Sequence, residues 1–290
     1  MDMTLKARIT ASVAGDYTVE CSCGQTITCK ARGLFRLKKV SPCVGDYVEL
    51  TREDDGYIIS EIGERKNALV RPPLANLDCA VIVVSSCEPK PSTLIIDRLT
   101  VILESKSIES VLVFTKTDKK EALLFDIYKR AGFACFFSDN TESISEFLSG
   151  KTSALIGNTG VGKTTLLNKL IPGLNLPTAE ISKKLGRGRH TTRTVKLHKL
   201  PGGGYVADTP GFSTVETQVY GEIPADEVAL NFREFAALIS KRKCKFGGCT
   251  HNGESGCEIS EAVESEKISQ SRYNSYLSIY KEAKKAEKVY

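Results

Sequence analysis

Residues 152–168 read TSALIGNTGVGKTTLLN. TSALI is a short apolar run of strand type. After it come Gly157, four further residues and Gly162-Lys163-Thr164, and then Leu166 and Leu167 resume at helical spacing. A strand that turns through glycines into a helix leaves the first N–H groups of that helix without internal partners, at the positive end of its dipole, where a phosphate is stabilised. Gly157, Asn158, Thr159, Gly160, Val161, Gly162, Lys163, Thr164 and Thr165 are therefore candidate phosphate contacts. Lys163 is the candidate catalytic cation, reaching the β- and γ-oxygens of a nucleoside triphosphate, and the Thr164 hydroxyl takes a Mg²⁺ position.

Downstream, GGYVADTPG is the next buried run. It ends in Asp208-Thr209-Pro210-Gly211, where Asp208 would hold Mg²⁺ through water and the Gly211 N–H would turn toward the γ-phosphate. Asp, Pro and Gly also make ordinary turns, so it is the position behind a phosphate loop and a strand that favours a nucleotide sensor. Between the two motifs lies Arg189-His190-Thr191-Thr192-Arg193. Thr192, with Thr191 as the alternative, is expected to close on Mg²⁺ when the γ-phosphate is present. These residues sit in one basic stretch, in which Lys183, Lys184, Arg187, Arg189, Arg193, Lys196 and Lys199 occur without an acidic residue.

A guanine-reading motif, with a carboxylate accepting from N1 and N2 of the base, has no candidate after residue 211. Upstream, the apolar run VLVF ends in Thr115-Lys116-Thr117-Asp118, which differs from Asn-Lys-X-Asp only in its first residue. Further on, Cys135-Phe136-Phe137 ends in Ser138-Asp139, where a backbone N–H can meet the guanine O6. Thr115, Lys116, Asp118 and Ser138 are thus the candidate base contacts, and they precede the phosphate motif. A parallel sheet tolerates this permuted order, because joining old ends and cutting elsewhere leaves each strand in place. LDCAVIVVSS, SVLVFTK, TSALIG and GGYVADTPG read as strands buried on both faces, with helical spacing in DRLTVILESKS between the first two. Residues 69–220 are expected to form this parallel-sheet nucleotide domain.

The flanks differ in kind. Residues 1–68 alternate apolar and polar side chains in short runs, the pattern of a small antiparallel barrel or sandwich. Residues 221–290 read as amphipathic helices around a cysteine-rich knot. Within it Cys244, Cys249, His251 and Cys257 form C-x4-C-x-H-x5-C beside four glycines. Three thiolates and an imidazole suit tetrahedral Zn²⁺, and four protein ligands leave no position open for catalysis, so the expected ion is structural. Cys21, Cys23, Cys29 and Cys43 fall in strand-like runs and read as small apolar residues rather than a second metal site.

With 290 residues, 40 Lys and Arg against 35 Asp and Glu, and a formal charge of +5, the chain has the balance of a soluble multidomain protein that permits a nucleic-acid partner. The opening residues carry no signal-type apolar run, and no uncharged run approaches the roughly 18 residues that span a bilayer. A cytoplasmic monomer without membrane attachment is the expectation, with ten cysteines reduced or metal-bound. A metabolic ATPase or kinase would need an acceptor-substrate domain, and a vestigial RNA-binding module would not need Lys163, Thr164 and Asp208 intact.

CKARG, VGDYVEL, RKNALVRPPLANLD, TKTD, GNTGVGKTTLLN, GRGRHTTR, DTPGF, FREF and the cysteine knot together make the chain resemble, over nearly its whole length, the circularly permuted ribosome-assembly GTPases of the RsgA (YjeQ) family. The resemblance implies an OB-fold N-terminal barrel, a permuted P-loop GTPase domain that binds GTP and GDP, and a helical zinc-bearing C-terminal domain. It also implies GTP hydrolysis stimulated by the small ribosomal subunit in late maturation, with that subunit and its rRNA as partners. Thr115 stands where the family has asparagine, and Asp139 where it has alanine. Phe212 occupies the position of the water-orienting glutamine of other GTPases, so unassisted turnover on the order of 10⁻⁴ to 10⁻² per second is expected. His190 matches the family's switch histidine; an imidazole there serves hydrolysis or an RNA contact.

Overall fold

The computed structural model describes residues 4–37, 40–54, 56–70, 72–117, 123–178, 195–209, 223–241 and 244–287. In chain order the first elements are β1 (Leu5–Val13), β2 (Asp16–Cys21), β3 (Thr26–Ala31), α1 (Leu34–Leu37), β4 (Tyr47–Glu53), β5 (Gly56–Ile62), β6 (Ala68–Val70) and β7 (Pro73–Ala75). There follow β8 (Cys79–Ser85), α2 (Thr93–Ser105), β9 (Glu109–Thr115), α3 (Leu123–Arg130), β10 (Ala134–Phe137), α4 (Thr141–Leu148), β11 (Thr152–Ile156), α5 (Lys163–Leu170), β12 (Lys196–Lys199) and β13 (Tyr205–Asp208). The chain ends in α6 (Ala225–Val228), α7 (Arg233–Lys241), α8 (Glu258–Glu264) and α9 (Gln270–Ala286). Two compact units divide these elements. One takes the described residues of Met1–Cys79, Thr141–Ile156 and Lys163–Gly211, and the other those of Ala80–Asn140, Gly157–Gly162 and Phe212–Tyr290.

In the first unit five strands close into a barrel of order β1-β2-β3-β5-β4, with β4 returning to β1. Four of its pairings are antiparallel; the β3–β5 pairing, Lys30 opposite Ile58, is parallel and lets the fifth strand complete the ring. This is the OB-like topology. Ile9, Val19, Leu50 and Ile59 are wholly buried, as the period-2 runs require. Cys21, Cys29 and Cys43 are buried as well, while Cys23 is exposed. Burial pushes the thiols of Cys29 and Cys43 up to about 11 and about 12.

The junction motif RKNALVRPPLANLD forms a clasp on the barrel. Arg65 holds buried Asp46 through two bonds of 2.7 and 2.8 Å, and Asn67 exchanges bonds of 2.9 Å with the N–H and C=O of Leu77. Asn76 accepts from Lys66 N and donates to Gly45 O. Gly45 has a φ of +97°, and a Cβ there would lie 2.1 Å from Ala75 O, so only glycine lets the two segments meet. Beyond the clasp, β11 runs parallel to β13, whereas β12 pairs antiparallel with β13 and meets β1 at Ala11–Lys196. The end of the basic stretch is thus a strand, with Leu197 buried between exposed Lys196 and half-buried His198.

The second unit holds the strand order β10-β9-β8, with β10 parallel to β9. All seven residues of β8 are buried, the two-sided burial expected of a sheet covered on both faces. Helix α2 joins these strands to the C-terminal helices: Val101 packs in one cluster with Phe232, Phe235, Ile259 and Tyr276. Beside it Arg272, 1% exposed, donates to Asp97 Oδ1 at 2.6 Å and to both oxygens of Glu234 at 2.7 and 2.9 Å. Tyr128 donates to the same Asp97 oxygen at 2.6 Å. Burial pulls the guanidinium down, but Asp97 and Glu234 outweigh it and hold the group above its ordinary value.

Candidate functional site

The glycines of the phosphate loop are used as the motif requires. A Cβ on Gly157, whose φ is +143°, would sit 2.5 Å from Val83 O, so the loop can press against β8 only without a side chain. Gly162, φ +104°, lies against the side chain of Thr115. That threonine, at the end of β9, is buried; its hydroxyl donates to Val161 O at 2.6 Å and lies 3.4 Å from Val84 O. The residue that departs from asparagine therefore still holds the phosphate-loop backbone by a side-chain donor. Lys116, at φ +59°, adds a second tie by donating to Gly160 O at 3.0 Å and to Glu88 O. The end of β9 thus braces the phosphate loop directly.

At the turn after β10, the Ser138 N–H donates to Phe114 O at 2.9 Å. The N–H of Asp139 has no partner among the described residues, so the backbone donor open to a ligand in this turn is one residue beyond Ser138. Which of the two N–H groups stays open depends on how the turn closes on β9, which residue types alone do not mark.

Lys163 opens α5 and is 7% exposed. Burial pulls its ammonium down to about 8, against the opposing attraction of Asp208. Asp208, ending β13, is pushed up by burial while Lys163 and the Thr164 hydroxyl draw it down. The Thr164 hydroxyl donates to Asp208 Oδ2 at 3.5 Å, and Thr209 donates to Leu155 O at 2.5 Å, anchoring the residue next to Asp208 to β11. A carboxylate and a hydroxyl meeting beside a buried ammonium fit a hard divalent cation such as Mg²⁺ bound with an anionic phosphate. Asn158, Thr159 and Thr165 lie in or next to the loop as expected. Asp118, His190, Thr191, Thr192, Gly211 and Phe212, with the basic stretch from Lys183 to Arg193, lie outside the described residues.

In the second unit Cys244, Cys249, His251 and Cys257 bring their ligand atoms within 4.8 Å of one another. His251 Nδ1 is 3.6 Å from Cys244 Sγ and 3.4 Å from Cys257 Sγ. Ligands about 2.1 and 2.3 Å from one zinc ion at a tetrahedral angle would be about 3.6 Å apart, so the donor set and its spacing fit Zn²⁺. The loop is shaped around it: Glu254 accepts from Thr250 N, Thr250 Oγ1 and Asn252 N at 2.8, 2.6 and 2.6 Å. Burial raises that carboxyl, but these hydrogen bonds overcome it and bring it down to about 2. Tyr273 and Tyr276 donate to His251 O and Thr250 O, tying the knot to α9.

Two family models match the chain: RsgA GTPase over residues 62–218 and RsgA N-terminal domain over residues 6–58. The small ribosomal subunit biogenesis GTPase RsgA 2 of Oceanobacillus iheyensis is 47% identical, covering 96% of this chain and 97% of its own. The small ribosomal subunit biogenesis GTPase RsgA of Streptococcus pneumoniae is 41% identical over 99% and 97%. Among solved structures, YjeQ from Thermotoga maritima superposes with a TM-score of 0.76 at 32% identity, covering 97% of this chain and 99% of that one. YloQ, described as a circularly permuted GTPase, gives a TM-score of 0.77 at 32% identity over 98% and 96%.

Proposed function

The chain belongs to the RsgA GTPase family, and on that premise we propose how its own residues perform GTP hydrolysis in small ribosomal subunit biogenesis. The observation that carries the assignment is the meeting of Thr164 and Asp208 beside buried Lys163. Lys163 and the N–H groups of residues 158–164 neutralise the β- and γ-phosphates. Thr164 and Asp208 would hold Mg²⁺, which would supply shielding for the charge that builds on the phosphate oxygens. Asp118 accepts from N1 and N2 of guanine, the Asp139 N–H donates to O6, and Thr115 and Lys116 keep the loop in position from behind. Water attacks the γ-phosphorus, the bond to the bridging oxygen breaks, and GDP and phosphate leave.

With Phe212 unable to orient that water, turnover is slow until the small subunit arranges His190 and Thr192, and the basic stretch around them meets rRNA phosphates. The domains we propose are a barrel over residues 1–68, a permuted GTPase domain over 69–220 and a zinc-bearing helical domain over 221–290. In the last, Cys244, Cys249, His251 and Cys257 hold one structural Zn²⁺. We propose a cytoplasmic monomer; separately, no described helix is long and apolar enough to cross a membrane. The test is competition of GTP against ATP for the parent and for Asp118→Ala, followed by turnover with and without small subunits. Loss of guanine preference in Asp118→Ala and stimulation by subunits are the expected results; unchanged preference overturns the permuted reading of the base site.

A further inference from the structure

The loop between His251 and Cys257 carries the chain's one Asn-Gly pair, Asn252-Gly253, which neither the nucleotide chemistry nor the metal ligands use. Both residues are exposed. Gly253 stands at a φ of +90°, where a side chain would be strained, and with no Cβ nothing shields its backbone nitrogen. Among the described residues neither the Asn252 carboxamide nor the Gly253 N–H has a hydrogen-bond partner, so no bond holds these two groups apart. The Asn252 N–H, by contrast, donates to Glu254 at 2.6 Å.

A carboxamide free in water beside an unhindered backbone nitrogen is open to ring closure. The Gly253 nitrogen attacks Asn252 Cγ, a new N–Cγ bond closes a cyclic imide, and the side-chain nitrogen takes up the displaced proton and leaves as ammonia. Water then opens the ring at either carbonyl. Breaking the N–Cγ bond leaves aspartate. Breaking the bond from the same nitrogen to the Asn252 carbonyl carbon leaves isoaspartate, whose main chain runs through Cβ and Cγ and is one atom longer. Water is the only co-reactant.

The two products act differently on the knot. Both place a negative charge near Glu254, but at an exposed position that charge is screened and changes little. The added main-chain atom acts on geometry: it lengthens the path from His251 to Cys257, and a tetrahedral zinc site tolerates only small changes in ligand distance. We propose that Asn252 is a site of spontaneous deamidation, and that the isoaspartate formed there opens the knot that holds zinc. The covalent step stands on the exposed pair alone, and its consequence rests on the zinc reading of the four ligands.

The experiment ages the full chain, loaded with zinc, in mildly alkaline buffer and compares the parent with Asn252→Gln. Peptide mass spectrometry follows conversion of amide to acid at residue 252, enzymatic methylation of isoaspartyl carboxylates identifies the product, and competition with a chromogenic chelator measures zinc affinity before and after. The parent should convert several-fold faster than Asn252→Gln, whose longer side chain closes a less favourable ring. Zinc affinity of the isoaspartyl fraction should be about tenfold lower or more, as when a group that orients a metal ligand is lost. Freshly prepared Asn252→Asp, which adds the charge without the extra atom, should hold zinc as the fresh parent does. Absence of conversion in the parent, or the same rate in Asn252→Gln, overturns the modification site. An isoaspartyl fraction that keeps the parent affinity overturns the consequence, and so does Asn252→Asp if it binds as weakly as that fraction. A fresh parent that binds no zinc overturns the four-ligand reading and the consequence together, while mass and methylation still decide the covalent step.

Discussion

Two buried cations show how differently one molecule can treat the same electrostatic problem. Arg272 meets a carboxylate on each side and has three aromatic rings around its guanidinium, those of Tyr128, Phe133 and Phe232. Its charge is more than compensated. Lys163 is buried to a similar degree, yet burial outweighs the pull of Asp208 and its ammonium falls to about 8. A structural cation is satisfied by the fold, whereas the phosphate-loop cation sits in a field that a polyanion completes. The two should therefore respond in opposite ways to mutation.

The sharpest break comes from Arg272→Ala. Leaving Asp97 and Glu234 buried without their cation should lower stability by about 3–5 kcal/mol. Urea unfolding followed by circular dichroism measures it, and a loss below about 1 kcal/mol would mean that the pair contributes little beyond packing. Next in size, Lys163→Ala should reduce GTP turnover by about a hundredfold or more, as when a preorganised charge contact to the transition state is removed, while leaving the melt unchanged or raised. A variant that keeps turnover sinks the phosphate-loop assignment, and one that melts well below the parent sinks the contrast with Arg272.

A pH series sharpens the comparison further. In the free protein Lys163 loses its proton near 8, below its ordinary value, and a bound phosphate retains it, so the bound state takes up a proton in alkaline solution. GTP affinity should then be full below about pH 8 and weaken by up to about tenfold per unit above it. The sign for folding is the reverse: between about 8 and the ordinary lysine value the unfolded chain binds more protons, so the nucleotide-free protein gains stability as pH rises. Titration calorimetry from pH 7 to 9 tests the first effect, with Lys163→Arg as the control, since guanidinium keeps its charge throughout. A flat profile for the parent would show that the ammonium is not depressed.

The smallest effect concerns the brace behind the loop. Thr115→Val removes the 2.6 Å bond to Val161 O and leaves that carbonyl unmet, which should weaken GTP binding several-fold, about 1 kcal/mol. Thr115→Asn, which restores an amide donor, should bind as well as the parent or better. Equal affinity in all three would show that loop position does not depend on this contact.

Much of the site was legible because its chemistry is written in short spacings. Gly157 to Thr164 and Cys244 to Cys257 each place their functional atoms within one turn or knot, so residue type and interval suffice. The permuted order was legible from which apolar run precedes which motif. That the Ser138 N–H is taken by Phe114 O was not legible, because that bond is set by turn closure. That the threonine of TKTD reaches Val161 was hidden for a similar reason, since the two residues are 46 positions apart.

The sequence alone determined the alternation that makes a barrel, the two-sided burial of the central strands, the phosphate loop and the cysteine–histidine knot, since periodicity and local donor spacing govern each of these. Tertiary structure decided how the barrel closes, through the parallel β3–β5 pairing, and that the end of the basic stretch becomes β12 against β1. It also decided that Arg8 is buried beneath two tyrosines and that Arg272 is neutralised by Asp97, 175 residues away. Local pattern reports which way a side chain faces, but the partner it meets, and hence whether its charge is satisfied, depends on segments brought together only when the chain folds.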